Sequence, residues 1–126
     1  MILELDCGNS LIKWRVLKDG LPLPQRSAVA SDETDLLCQL SRAEFGGSIQ
    51  QARVVSVRAE DETNSLIVAL RTKFSIPVQL AISAARLAGV SNGYLDPGAL
   101  GADRWLALVA AYLNSGSACL VLDIGT

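Results

Sequence analysis

Short apolar runs alternate with amphipathic stretches from one end of this chain to the other. Met1 to Leu5 is an apolar-rich strand pattern that ends at Asp6. Leu11 to Leu17 alternates, with Ile12, Trp14 and Val16 on one face and Lys13 and Arg15 on the other, the period of a half-buried strand. Asp19-Gly20 is a favoured hairpin turn, so a third strand follows, pushed toward an edge or an irregular path by Pro22 and Pro24. The period then changes. Ser31 reads as an N-cap with Asp32 and Glu33 in the first turn, Leu36, Leu37 and Leu40 repeat at helical spacing, and Gly46-Gly47 reads as the stop. Ala52 to Val57 is a β-branched strand. A second helix is expected from about Asp61 to Phe74, with Leu66, Leu70 and Phe74 on one face, and Ile76 to Ile82 is another strand. Residues 83 to about 101 read as a long irregular segment with Asn92-Gly93 and Pro97-Gly98 turns, the kind of loop that is usually functional or mobile. A third helix, about Ala102 to Asn114, is nearly all apolar after Arg104 and is expected to be buried. Ser115-Gly116-Ser117 breaks it before a last strand, Cys119 to Leu122. The order βββ-α-β-α-β-α-β defines an α/β protein.

Two of these strands end alike. The first runs into Asp6-Cys7-Gly8-Asn9, the last into Asp123-Ile124-Gly125-Thr126. Strand, carboxylate, tight glycine turn and small polar side chain is the order that a phosphate clamp needs. The carboxylate can hold a hydrated cation, the glycine lets backbone N–H groups approach phosphate oxygens, and the polar residue adds a donor. One such turn is common; two point to a duplicated nucleotide-binding lobe with phosphates held between the halves. Lys13 lies on the strand that returns from the first turn, so its ammonium can reach back toward a phosphate. Alternation turns Cys7 and Ile124 away from the ligand side, as core filler. A natural domain rarely stops on a buried-type strand, because apolar side chains and ladder groups need partners. The expectation is therefore a front half of a longer protein. Residues 1–117 would form one lobe, and 118–126 would open a second.

Composition narrows the chemistry. Half of the 126 residues are hydrophobic and 19% are charged, which fits a folded domain with a real core. Net charge is -2 and there is no basic stripe, which disfavours nucleic acid as a partner. No apolar stretch is long enough to span a bilayer, and the acidic N-terminal residues are unlike a secretory leader, so no membrane partner and a cytoplasmic location are expected. Cys7, Cys38 and Cys119 are scattered and odd in number, hence free thiols. Histidine is absent, which removes Ser-His-Asp and Cys-His nucleophile systems and His-ligated metals. A proton acceptor must be a carboxylate, Tyr, Lys or Cys.

A second cluster runs from Asn92 to Trp105 and sets an acid and a base at the mouth of the third helix. Asp103 can stabilise that helix end through the dipole, with Arg104 paired at the surface. It can instead orient a substrate hydroxyl. A helix N-terminus keeps a carboxylate weakly basic, which suits phosphoryl transfer, where the hydroxyl needs aiming more than deprotonating. Arg104 and adjacent backbone N–H groups could hold a substrate carboxylate, and Tyr94 could donate to another acceptor.

The residues Asp6-x-Gly-Asn-Ser-x-x-Lys13, then Asn92-Gly-Tyr…Pro97…Leu100-Gly-Ala-Asp103-Arg104-Trp105, then Asp123-x-Gly-Thr126 resemble the three signature motifs of type III pantothenate kinase, in order. The resemblance implies a ribonuclease-H-like lobe of the actin-like and sugar-kinase ATPase superfamily, a mixed sheet with flanking helices. It implies a cytoplasmic homodimer that phosphorylates pantothenate with ATP, using Mg²⁺ and a monovalent cation, K⁺ or NH₄⁺. By position, Asp6 would help hold Mg²⁺ through water, and Gly8, Asn9, Ser10, Lys13 and Thr126 would meet the phosphates. Tyr94, Gly101 and Arg104 would bind pantothenate, Asp103 would be the catalytic carboxylate, and Asp123 would help bind the monovalent cation. The family's second half forms the adenine pocket and part of the substrate site, so this stretch alone is expected to be inactive. Three other readings stay open: a non-catalytic accessory or regulatory protein on the same scaffold, a sugar kinase, and a ribonuclease-H-like nuclease. The last needs several carboxylates converging on two metals, and Asp6 lacks such company.

Overall fold

The computed structural model describes residues 1–43, 45 and 48–123. They form two compact units, Met1–Ala81 and Ile82–Thr126, each described by itself.

The first unit is one sheet with two helices. Strands β1 (Ile2–Cys7), β2 (Ile12–Lys18) and β3 (Leu21–Ala30) form the meander, followed by α1 (Glu33–Arg42), β4 (Gln51–Ser56), α2 (Glu60–Phe74) and β5 (Val78–Leu80). The strand order is β3-β2-β1-β4-β5. β2 is antiparallel to β1 and β3, while β4 is parallel to β1 and β5. This is the mixed sheet expected of a ribonuclease-H-like lobe. The alternation in β1 and β2 carries through: Leu3, Leu5, Cys7, Ile12, Trp14 and Val16 are buried in one core with Leu36 and Leu40 of α1 and Leu66, Ile67 and Leu70 of α2. The opposite face is ionic. Glu4 stands across from Arg15 on β2 and Arg53 on β4, with Arg15 Nε donating to its carboxylate at 2.7 Å. Pro22 and Pro24 lie on the edge strand, where a missing N–H costs no ladder bond. The β2–β3 register shifts between Arg15 and Leu17.

α1 is capped one residue later than the sequence pattern predicts. Asp32, in extended conformation, accepts from Asp35 N at 2.8 Å, and the Asp35 carboxylate accepts in return from Ser31 N at 2.9 Å. Ser31 is thus the residue before the cap, in a reciprocal capping arrangement. The helix ends at Arg42 with Ala43 as its cap; Gly46 and Gly47 lie outside the described residues. β5 is shorter than the predicted strand because its pairing with β4 stops at Val54–Leu80.

In the second unit the predicted irregular segment is more ordered than expected. β6 (Arg86–Leu87) and β7 (Val90–Ser91) form a small hairpin over Ala88 and Gly89, both at positive φ, as a two-residue primed turn requires. A 3₁₀ turn, Pro97–Ala99, follows, capped by the Asp96 carboxylate on Gly98 N at 3.0 Å. α3 (Ala102–Ser115) begins where predicted but is not buried all round. Trp105 and Val109, one turn apart, pack on Leu100 and Val90, whereas Leu106, Leu108, Tyr112 and Leu113 are exposed. Among the described residues the unit offers one narrow apolar stripe, enough to cover one helix face. The predicted strand Cys119 to Leu122 is irregular chain, with Leu120 and Leu122 exposed. A strand needs a ladder partner, and none of the described strands pairs with it.

Candidate functional site

The first glycine turn is fixed by two backbone bonds and one side-chain bond. β1 ends on the buried Cys7, which leaves Asp6 on the exposed, ionic face of the sheet. Gly8 N donates to Leu11 O at 3.0 Å and closes the turn into β2. Val57 N donates to Cys7 O at 3.1 Å, and Arg58 Nε donates to Gly8 O at 2.8 Å, so the corner between β4 and α2 holds the turn from behind. Asn9 and Ser10 are exposed at its tip. A Cβ at Gly8 would sit 3.4 Å from Leu11 O, an ordinary contact, so glycine is not demanded here by packing.

Lys13 pairs with Asp6 in the β1–β2 register, and its ammonium lies 3.9 Å from the Asp6 carboxylate. Both are well exposed, so the attraction is weak and the ammonium can be given up to a stronger anion. Burial pushes the Cys7 thiol up to about 11, against a smaller opposing pull from the Arg58 guanidinium. Cys7 is therefore a protonated, inert core residue, as alternation predicts. All three cysteines are free, with Cys38 and Cys119 exposed. Arg58 is the residue that pattern reading missed. It follows a strand, looks like a surface arginine, and is paired through Nη1 with Glu62 at 3.9 Å, yet its side chain is only 15% exposed.

In the second unit Asn92 organises the loop. Its amide donates to Ala84 O at 3.2 Å and Pro97 O at 3.3 Å, and its carbonyl accepts from Tyr94 N at 3.0 Å. Ser83 Oγ donates to Leu100 O at 2.5 Å. These bonds set Tyr94 beside the start of α3. Tyr94, Arg104, Trp105, Leu108 and Asp123 then line one cavity of about 440 Å³ with Asn92. That volume lies in the range of small-molecule sites, and the wall mixes apolar side chains with an arginine, a carboxylate and a phenol. Gly101 is the N-cap of α3 and offers no side chain to cap with. Asp103 does not line the cavity. It is half-buried in the first turn, and its Oδ1 accepts from Arg104 N at 2.8 Å. The helix-end role is thus the one its geometry satisfies in this state, with Oδ2 left over.

Within the first unit, then, Asp6, Gly8, Asn9, Ser10 and Lys13 gather at one turn; within the second, Tyr94, Arg104 and Asp123 share one cavity. Thr126, with Ile124 and Gly125, lies outside the described residues. Among the described residues no three Cys, Asp or Glu side chains converge as a ready-made metal cage. A lone strand-end carboxylate such as Asp6 suits the way Mg²⁺ is usually held, by one or two carboxylates, water and substrate phosphates.

A mixed sheet of order β3-β2-β1-β4-β5 with an acid-glycine turn at the end of its central strand defines the class: a ribonuclease-H-like α/β lobe. A family model for type III pantothenate kinase matches residues 2–126. The chain belongs to that family. Type III pantothenate kinases of Pseudomonas paraeruginosa and Azotobacter vinelandii are 50% and 46% identical to it over all 126 residues. The chain spans half the length of each of these relatives. YeaZ from Pseudomonas aeruginosa, a solved structure, is similar at TM-score 0.46 and 17% identity over 69% of this chain and 47% of that one, a likeness too slight to carry weight. Among the described residues no helix is long and apolar enough to cross a membrane.

Proposed function

We propose that the full-length protein phosphorylates pantothenate with ATP to give 4'-phosphopantothenate, the first step of coenzyme A synthesis, as a cytoplasmic homodimer. The observation that carries this reading is the pinned turn Asp6–Ser10 with Lys13 on the returning strand, in a chain of this family. Gly8, Asn9, Ser10 and Lys13 hold the ATP phosphates, with Thr126 as a further phosphate contact. Asp6 holds Mg²⁺ through water, and the ion neutralises charge on the transferred phosphoryl group. Asp123 contributes to a K⁺ or NH₄⁺ site. The cavity beside α3 takes pantothenate: Arg104 holds its carboxylate, Tyr94 donates to another oxygen, and Gly101 lines the approach of the chain. Asp103 aims the attacking hydroxyl with the carboxylate oxygen that Arg104 N leaves free. In the lobe division that fits this reading, residues 1–117 form the first lobe and 118–126 open the second.

The hydrogen bond of Asp103 to its own helix favours one other reading, a non-catalytic accessory protein on the same scaffold. Pantothenate-dependent ADP release by the full-length protein, with Mg²⁺ and K⁺, separates the two. Asp103→Asn should lower turnover by roughly a hundredfold or more, with the fold intact by circular dichroism. Equal turnover in the variant makes Asp103 a helix-end residue only. No release from a folded protein that binds ATP moves the assignment to the accessory reading.

A further inference from the structure

We infer that Arg58 is a positioning residue for the phosphate turn, acting through the Gly8 carbonyl. The inference rests on the reading above in one respect, that this turn receives the nucleotide's phosphates. Arg58 Nε donates to Gly8 O at 2.8 Å across fifty residues of sequence, from a side chain that is 15% exposed. The Arg58 backbone is anchored as well. Its N–H donates to Ser56 Oγ at 3.2 Å, and that hydroxyl is bonded to Thr63 Oγ1 of α2 at 2.8 Å. The backbone that carries the guanidinium is therefore tied to the end of β4 and, through the Ser56 hydroxyl, to α2.

What the bond controls follows from peptide geometry. No peptide bond in the described chain is cis. In a trans peptide the C=O and the next residue's N–H point in opposite directions. Drawing Gly8 O back toward Arg58 therefore turns the Asn9 N–H outward, to the open side of the turn. Gly8 N is already spent on Leu11 O, and no partner among the described residues engages Asn9 N. The donor left facing an incoming anion is the one whose direction Arg58 sets. Without Arg58 the Gly8–Asn9 peptide plane is free to rotate, and ordering it becomes part of the cost of binding phosphate.

The atoms allow a clean test. In Gln the amide nitrogen stands as many bonds from Cα as Nε does in Arg, so Arg58→Gln keeps a neutral donor at the same reach. Arg58→Met keeps the stem and loses donor and charge; Arg58→Lys keeps the charge with its nitrogen one bond further out. MgATP affinity of the full-length protein, measured by calorimetry, should weaken about tenfold in the Met variant and stay within about threefold in the Gln variant, the size of one lost hydrogen bond to a charged donor. Lys should resemble Met. Parent-like affinity in Met overturns the inference. A Gln variant as weak as Met, beside a parent-like Lys, overturns it in favour of plain charge. If the Met variant fails to fold, the Gln–Lys contrast decides alone. MgATP binding needs no pantothenate, so a protein that binds nucleotide without phosphorylating pantothenate overturns the kinase reading and leaves the Arg58 result readable.

Discussion

Cys7 shows how much a single position can be asked to do. It is the x of an acid-x-Gly turn, next to a carboxylate on the exposed face of the sheet, yet its thiol points into the core beneath the sheet. Burial holds it protonated up to about 11, against an ordinary value of 9.0. The folded chain thus binds this proton more tightly than the unfolded chain. The stability it brings is complete below pH 9.0 and is lost as pH rises toward about 11. Native protein at pH 8 should react with a thiol reagent at Cys38 and Cys119 alone, with Cys7 labelled only after denaturant is added. Peptide mapping of the labelled sites checks this, and labelling of native Cys7 at the rate of Cys38 would refute it. Asp35 works in the opposite direction. Hydrogen bonds from Ser31 N, then Gln39, lower its proton affinity below the usual 3.8, so its contribution persists above that pH and fades only as acid protonates it.

The same carboxylate belongs to the start of α1, where local chemistry and tertiary packing meet. Gln39 Nε2 donates to Asp35 and to Val29 O, and its carbonyl oxygen accepts the Trp14 indole N–H at 2.9 Å. Capping the helix therefore also docks it on β2 and β3. Asp32→Ala should cost about 1 kcal/mol in urea unfolding with an unchanged m-value. A cost below a few tenths would mean that water replaces the cap.

The elements most legible in the sequence were those whose pattern is local. The Ile12–Trp14–Val16 alternation, the Asp19-Gly20 turn and the Pro22–Pro24 edge each follow from side-chain period or backbone freedom alone. A helix beginning at Ala102 also follows from local pattern, but its burial does not. An apolar helix reads as buried only if other elements exist to cover it, and period says nothing of how many do. The turn after Asp6 is legible because a carboxylate and a glycine stand two residues apart at the end of an apolar strand. Arg58 is not, because the contact that singles it out joins residues far apart in the chain. The helix-end contact of Asp103 is legible in sequence, since it follows from a carboxylate in a first helical turn.

Taken together, the two units differ in how much core each owns. Sheet, α1 and α2 share one continuous set of buried side chains within Met1–Ala81, whereas the second unit buries Leu100, Trp105 and Val109. Residues 1–81 expressed alone should therefore unfold cooperatively, and residues 82–126 alone should show no cooperative transition, because so small a core cannot offset the ordering of the chain. Circular dichroism of the two pieces with temperature tests both statements. A non-cooperative 1–81 would mean that its stability depends on chain beyond Ala81.

The meander has a kinetic consequence. β1, β2 and β3 are neighbours in sequence and are joined by tight connections, with Asp19 and Gly20 already in the left-handed backbone that the second connection needs. Such contacts close short loops and form fast, whereas β4 must return past α1 to pair in parallel with β1. On a ribosome the loop carrying Asp6 to Lys13 would take shape while β4 is still being made. It would become rigid only when Arg58 arrives. The turn that begins to form first is then among the last parts of the sheet to be pinned, because its final bond waits for residue 58.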